Sequence, residues 1–333
     1  MKKVRLLLGL MLIVIMIGAM TVSAAEKITA YVSCDEVVGK ELLTAFTKAT
    51  GIQVDWIRLS TGEAQARIAA ERNNPQASIW VGGVGLDHIA AKKEGLTLQY
   101  KSKAAAKIPN EFKDKDGYWT GMYAGPLCFV YNTEKMAEKK LPVPRSWADL
   151  TKPVYKGHIQ MANPQTSGTS YNVITTMINI YKGDEAKAFD YLKKLNVNIS
   201  QYTRSGSAPG RNAAIGETPI ALGYAHDQVK LIAEGYPLKL VFPKEGTGFE
   251  VASISMIKNG PQTETAKKLY DWLLGQEAAK IMANNYLSVF AKVELRKGAI
   301  PLKKVKVLTQ DDEWGGKNKQ RLVEKWLNEV YRK

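Results

Sequence analysis

The sequence predicts an α/β protein built as two lobes. Three observations carry this reading. Strand-like and helix-like segments alternate from residue 27 onward. Two long β-rich stretches, GYWTGMYAGPLCFVYN (117–132) and KLVFPKEGTGFEVASISMIK (239–258), interrupt the alternation as crossings out of and back into the first lobe. About 308 residues follow an N-terminal leader, more than a single core comfortably serves.

The elements read in order as follows. KITAYVS (27–33) is a strand and KELLTAFTKATG a helix closed by Gly51; IQVDWIRL (52–59) is a strand and EAQARIAAERN (63–73) a helix; ASIWVGG (77–83) is a strand and LDHIAAKKEG (86–95) a helix. Such a βαβαβ start implies a parallel sheet with covering helices. After the first crossing, SWADLTKP (146–153) is a short helix and turn, GHIQMAN (157–163) a strand, 171–182 and 184–194 helices, and NVNISQY (196–202) and TPIALGYA (218–225) strands. Beyond the second crossing, ETAKKLYDWLLGQEAAKIMANN (264–285) is one amphipathic helix, and Leu322, Trp326 and Val330 recur at helical spacing in a tail that also holds Trp314. The expected organisation is a leader at 1–25, lobe one at 26–126, lobe two at 127–250, a return to lobe one at 251–295 and a C-terminal helical extension at 296–333.

The leader has the pattern of a cleaved secretory signal peptide. Lys2, Lys3 and Arg5 precede an apolar run from Leu6 to Met20 and the small residues VSAAE (22–26), with cleavage expected after Ala24 or Ala25. A soluble exported protein follows, periplasmic in a Gram-negative cell. The chain is 45% apolar with a formal charge of +15; the leader carries three of those positive charges and no acid, so the remainder keeps +12. A basic balance favours an anionic small-molecule partner. Export argues against nucleic acid, and the scattered lysines read as solvated helix faces. Cys34 and Cys128 are expected as buried free thiols rather than a disulfide. Without a CxxC or Cys/His cluster, neither a metal site nor a cofactor is expected. GxSxG, GxxxxGK[ST], HExxH and dinucleotide GxGxxG motifs are lacking, which argues against an enzyme.

Two crossings leave a cleft between the lobes, and in such sheets ligands bind beyond the carboxyl ends of the strands. Four strand-end loops share one chemistry. VSCDE (32–36) and LSTGE (59–63) each match a capping box, Ser33 with Glu36 and Ser60 with Glu63, and Thr61 lies beside the second. NPQTSGTSYN (163–172) contributes Thr166, Ser167, Gly168 and Thr169, and YTRSGSAPGR (202–211) contributes Ser205 and Ser207. Helix starts expose unpaired N–H groups and a positive dipole end, glycine admits a ligand to the backbone, and hydroxyls add donors. One such loop is an ordinary helix cap; four aimed at one cleft read as an anion site. The apolar run 219–225 ends on His226 and Asp227, which suit sugar hydroxyls or a cation; the plainer alternative is that Asp227 caps the following helix. Glu250, in the return crossing, is placed to touch a ligand. His88 and His158 read as ordinary helix and loop residues.

These segments together resemble the ferric-iron-type family of bacterial extracellular solute-binding proteins, the soluble receptors of ABC importers. RLSTGEAQARIAAERNNPQASIWVGG (58–83), DGYWTGMYAGPLCFVYNTE (116–134), GHIQMANPQTSGTSYN (157–172), QYTRSGSAPGR (201–211), GYAHD (223–227) and PKEGTGFE (243–250) carry the resemblance, which spans about 27–330. It implies a two-lobed type II periplasmic-binding-protein fold, a monomer that closes over its ligand, and a membrane permease as partner. Iron-binding members present adjacent tyrosines where this chain has His226–Asp227. The His–Asp pair with Glu250 resembles the hexose-phosphate-binding branch, which implies that His226, Asp227 and Glu250 hold sugar hydroxyls while the Ser/Thr-rich helix starts hold phosphate. A ferric ion, a phosphonate or another organophosphate are the alternatives.

Overall fold

The computed structural model describes residues 26–288, 293–296, 300 and 302–331. The leader read at 1–25 lies outside them. In chain order the larger elements are β1 (Lys27–Val32), α1 (Glu36–Thr50), β2 (Gln53–Arg58), α2 (Thr61–Ala70), β3 (Ile79–Val84), α3 (Gly85–Lys93), β4 (Thr97–Leu98), β5 (Thr120–Asn132), α4 (Thr133–Glu138), β6 (Ile159–Ala162), α5 (Gly168–Ile180), α6 (Glu185–Asn198), β7 (Ile199–Thr203), α7 (Ala208–Ala214), β8 (Ile220–Tyr224), α8 (Ala225–Ala233), β9 (Leu238–Val241), β10 (Phe249–Ile257), α9 (Thr263–Leu273), α10 (Gln276–Asn285), β11 (Leu287–Ser288) and α11 (Asp312–Trp326).

The strands form one continuous path, β2-β1-β3-β10-β5-β8-β6-β7. β1 pairs in parallel with β2 and β3, and β6 with β7 and β8, so each end of the path is an α/β sheet. The middle is antiparallel. β5 is the long element that joins the halves: Thr120–Pro126 pair with β10, and Leu127–Tyr131 pair with β8. Pro126 sits where the partner changes. It has no N–H to offer a ladder; the Leu127 N–H beyond it still donates to the Gly248 carbonyl, just before β10, at 2.9 Å. Lobe one buries Ile28, Val32, Leu42, Phe46, Val81, Met122, Ile254 and Leu269; lobe two buries Phe129, Trp147, Tyr171, Ile174, Phe189 and Leu222.

Three sequence expectations shift. The second crossing is two strands, because the turn after β9 separates Val241 from Phe249. The helix read at 184–194 continues to Asn198, so Asn196–Asn198 are helical rather than extended; Leu192 and Leu195 continue its buried face, and the Asn198 amide donates to the Leu150 and Lys152 carbonyls. The single helix read over 264–285 is broken between α9 and α10 at Gly275, whose N–H donates to the Trp272 carbonyl instead of continuing the helix. Cys34 and Cys128 are free and buried. Among the described residues no helix is long and apolar enough to cross a membrane.

The C-terminal helix α11 lies against both lobes. Gly315 and Gly316 let it approach α3: a Cβ on Gly316 would fall 2.5 Å from the Ile89 side chain. The Lys319 ammonium, buried, meets the fully buried Asp87 of lobe one and donates to the Gln65 amide oxygen at 2.6 Å. On the other side Tyr171 donates to the Gly315 carbonyl, and Leu322, Trp326 and Val330 enter the lobe-two core. Removing one member of a buried ion pair strands the other. Lys319→Met is therefore expected to cost about 3–5 kcal/mol in urea unfolding, and Asp87→Leu added to it to restore most of the loss. Equal stability of Lys319→Met and wild type would contradict this account.

Candidate functional site

A cavity lies between the lobes at the strand ends. Of the twelve residues singled out in the sequence, nine line it: Ser33, Ser60, Thr61, Ser167, Thr169, Ser207, His226, Asp227 and Glu250. Thr166, Gly168 and Ser205 do not. The Thr166 hydroxyl turns away to the Arg204 carbonyl at 2.9 Å. Gly168 faces lobe one, where a Cβ would press on Val84. The Ser205 hydroxyl sits behind, accepting from Arg58 at 3.3 Å and 3.2 Å from the Ser207 hydroxyl.

The loops adopt their shapes for local reasons. Ser60 heads α2, and its N–H donates to Glu63 at 3.1 Å, the backbone half of the expected box. The Ser33–Glu36 box does not form. Two more residues are spent in the turn after β1, Asp35 takes the cap and accepts from the Val37 N–H at 3.1 Å, and Ser33 is left facing the cavity. Gly83, at φ +91°, clears the same wall; a Cβ there would come within 2.8 Å of Ser33 and Thr61. Ser167 stands at the head of the thirteen-residue α5, whose first N–H groups have no partner within the helix. The helix after Ser205–Ser207 has only seven residues, so that loop offers hydroxyls more than a dipole.

Arg58 is the cation the sequence reading overlooked. It is the last residue of β2, it lines the cavity, and its guanidinium donates to Ser60 at 3.2 Å in its own lobe and to Ser205 across the cleft. Its place immediately before a hydroxyl-rich strand end was the available signal. Asp35, Tyr123 and Tyr286 also line the cavity. Tyr286 comes from the end of α10, and no local pattern announces it. Further contacts join the lobes around the cavity: the Gly62 N–H donates to the Thr166 carbonyl at 3.1 Å, Glu63 pairs with Arg204, and Asp35 faces Arg211 at 3.4 Å and Lys230 at 3.8 Å.

The opposite wall is chemically different. Tyr224 takes the cap position of α8, so His226 and Asp227 lie in its first turn and Asp227 is not the cap. The imidazole is nearly enclosed, edge-on to Tyr123 and Tyr286 and nearly parallel to Tyr224. It rests on Gly125, where a Cβ would overlap its Nδ1 at 2.1 Å. Burial lowers the His226 pKa to about 3, so the ring is neutral. Its Nε2 lies 3.4 Å from Glu250 and 3.7 Å from Asp227, and these are contacts of a neutral ring rather than ion pairs. Burial holds the Glu250 carboxyl well above the usual carboxylate range, with Asp227 and then Asp87 adding to the shift. Burial also raises Asp227 to about 7; Asp35 adds to this, while Arg211, Lys230 and Arg58 oppose it. Tyr123, Tyr224 and Tyr286 are kept as neutral phenols by burial. One wall is thus a set of hydroxyls, N–H groups and a guanidinium. The other is a close-packed group of neutral donors and acceptors.

Residues 88–312 match the profile of the bacterial extracellular solute-binding proteins. The chain belongs to that family. A Haemophilus influenzae protein is 35% identical over 92% of both chains. The solute-binding protein also superposes on the periplasmic binding protein AfuA from Actinobacillus pleuropneumoniae, solved with fructose 6-phosphate bound, at a TM-score of 0.89 and 35% identity, covering 93% of this chain and all of that one. A putative 2-aminoethylphosphonate-binding periplasmic protein of Salmonella typhimurium is 28% identical over 70% of this chain and 68% of its own. The two-lobed fold of the periplasmic binding proteins is therefore the fold of this solute-binding protein.

The Asp227 carboxyl gives a pH signature. Folding raises it from 3.8 to about 7, so its stabilising contribution is complete below its unfolded value and is lost as pH rises through the folded one. Asp227→Asn stays neutral throughout. The melting temperature of the unliganded variant is expected to gain on wild type steadily between about pH 4 and 8. A constant offset across that range would overturn the assignment.

Proposed function

We propose that this solute-binding protein is the periplasmic receptor of an ABC importer and that its ligand is a hexose phosphate. The observation that carries the reading is the pairing, in one cleft, of an anion-seeking wall with a neutral hydroxyl-seeking wall. Ser33, Ser60, Thr61, Ser167, Thr169 and Ser207, the head of α5 and Arg58 take the phosphate. His226, Asp227 and Glu250 take the sugar: a neutral imidazole and a protonated carboxyl each both donate and accept, which matches hydroxyls. A ligand that spans both walls stabilises the closed arrangement by its differential affinity, and the closed monomer delivers it to an inner-membrane permease. The segment 1–25 exports the chain. Lobe one comprises 26–126 and 251–295 and lobe two 127–250, and α11 of the extension 296–333 is laid across them.

AfuA, solved with fructose 6-phosphate, supports this ligand class. The Salmonella relative supports a second reading, an aminoalkyl phosphonate, whose ammonium would be met by Asp35 and by Asp227 in its ionised form. Ferric ion is disfavoured by chemistry. It prefers a set of phenolates, and His226–Asp227 stand where the family resemblance puts the adjacent tyrosines of iron receptors.

Thermal melts with fructose 6-phosphate, glucose 6-phosphate, 2-aminoethylphosphonate, inorganic phosphate, glucose and ferric citrate test the reading. A hexose phosphate at about 1,000-fold over its Kd adds roughly 4 kcal/mol of stabilisation. A large shift with 2-aminoethylphosphonate alone selects the second reading, and a coloured complex with iron alone rejects both. The walls are separable by calorimetry. His226→Ala is expected to weaken fructose 6-phosphate far more than inorganic phosphate, and Arg58→Gln to weaken both by about 10- to 100-fold. Equal losses for the two ligands in His226→Ala would refute the division of the cavity.

A further inference from the structure

Ser33 is one of the hydroxyls on the anion wall, and a hydroxyl is ambiguous: it can donate one hydrogen or accept at two lone pairs. Its surroundings remove that ambiguity. The indole N–H of Trp80, fully buried in the sheet behind it, donates to the Ser33 hydroxyl oxygen at 2.9 Å. Among the described residues no protein group accepts the Ser33 hydrogen in return, and the side chain lines the cavity.

We propose that Trp80 is a positioning residue for the anion wall, occupying the acceptor side of Ser33 so that the hydroxyl hydrogen points into the cavity and Ser33 becomes a fixed donor to the bound oxyanion. The inference rests on the anion reading of that wall, not on the identity of the sugar. The indole is itself held. His88 stacks on it with ring centres 3.8 Å apart and planes 17° apart. The His88 Nε2 lies 3.1 Å from the Gly82 carbonyl, which can only accept, so Nε2 carries the hydrogen; Nδ1 then accepts from the Ser255 hydroxyl at 2.8 Å. All these groups are buried, so the orientation is set before any ligand arrives. The same polarity recurs beside it: the Ser60 hydroxyl accepts from Arg58 at 3.2 Å, and the Thr61 hydroxyl accepts from the Val84 N–H at 3.4 Å. A donor oriented in advance loses little entropy on binding and favours an oxygen that carries charge over one that carries a hydrogen.

A double-mutant cycle tests the assignment, with Kd values for inorganic phosphate and for fructose 6-phosphate measured by calorimetry on wild type, Ser33→Ala, Trp80→Phe and the double variant. Ser33→Ala should weaken inorganic phosphate by about 10-fold or more, the size of one hydrogen bond to a charged group. Trp80→Phe should weaken it several-fold in the wild-type background and not at all once Ser33 is alanine. The same factor lost in both backgrounds would make Trp80 a packing residue, and no loss in either would remove it from recognition; both overturn the proposal. Should Trp80→Phe not fold, benzothienylalanine at position 80 keeps the ring volume, removes the N–H and gives the same decisive comparison. Phosphate binding without fructose 6-phosphate binding refutes the sugar-phosphate reading while the cycle on phosphate still decides the role of Trp80. Binding of neither ligand overturns both.

Discussion

The register between β5 and β10 is the constraint on which the rest depends. It places Glu250 directly opposite Gly125, and Gly125 is the floor on which the His226 ring lies. One ladder position thus brings together a residue of the return crossing, a residue of the outward crossing and the first turn of α8. A slip by one residue would turn Glu250 to the other face of the sheet. The same pair of strands joins the lobes, so the cavity and the joint between lobes share a single piece of backbone.

Burial then sorts the chemistry. His226, Glu250 and three tyrosines crowd the wall opposite the hydroxyls, and desolvation keeps each in its uncharged form. Charge is confined to Arg58 and to the carboxylates and cations near the mouth, where Asp35 meets Arg211 and Lys230. A site in which every ionisable group stayed charged would spend most of any ligand's interaction energy on desolvation. A mostly neutral wall avoids that expense and leaves hydrogen-bond geometry as the means of discrimination.

Much of this was legible in the chain. The alternation of strand and helix patterns gave both parallel sheets, and the long β-rich stretches marked the crossings. Ser/Thr/Gly loops at strand ends pointed to the hydroxyl wall, and the His226–Asp227 pair at the end of an apolar run pointed to the other. Three features were hidden. Ser33 and Glu36 have capping-box spacing, yet the cap went to Asp35, because a turn can shift by two residues without changing the pattern around it. Arg58 looked like one more basic residue until the fold aimed it at two serines in different lobes. Tyr286 lies more than 160 residues from its stacking partner Tyr123, and only tertiary structure joins them. Long-range contacts of that kind leave no periodic trace.

The straddling C-terminal helix has a practical side. Its buried face belongs to both lobes at once, with Lys319 in one and Trp326 in the other. Shortening the chain before Asp312 would strip a cover from Asp87 and open an apolar trench in lobe two. The tail is therefore a poor place to trim for crystallisation or to graft an insertion. A reporter is better carried on exposed surface away from α11.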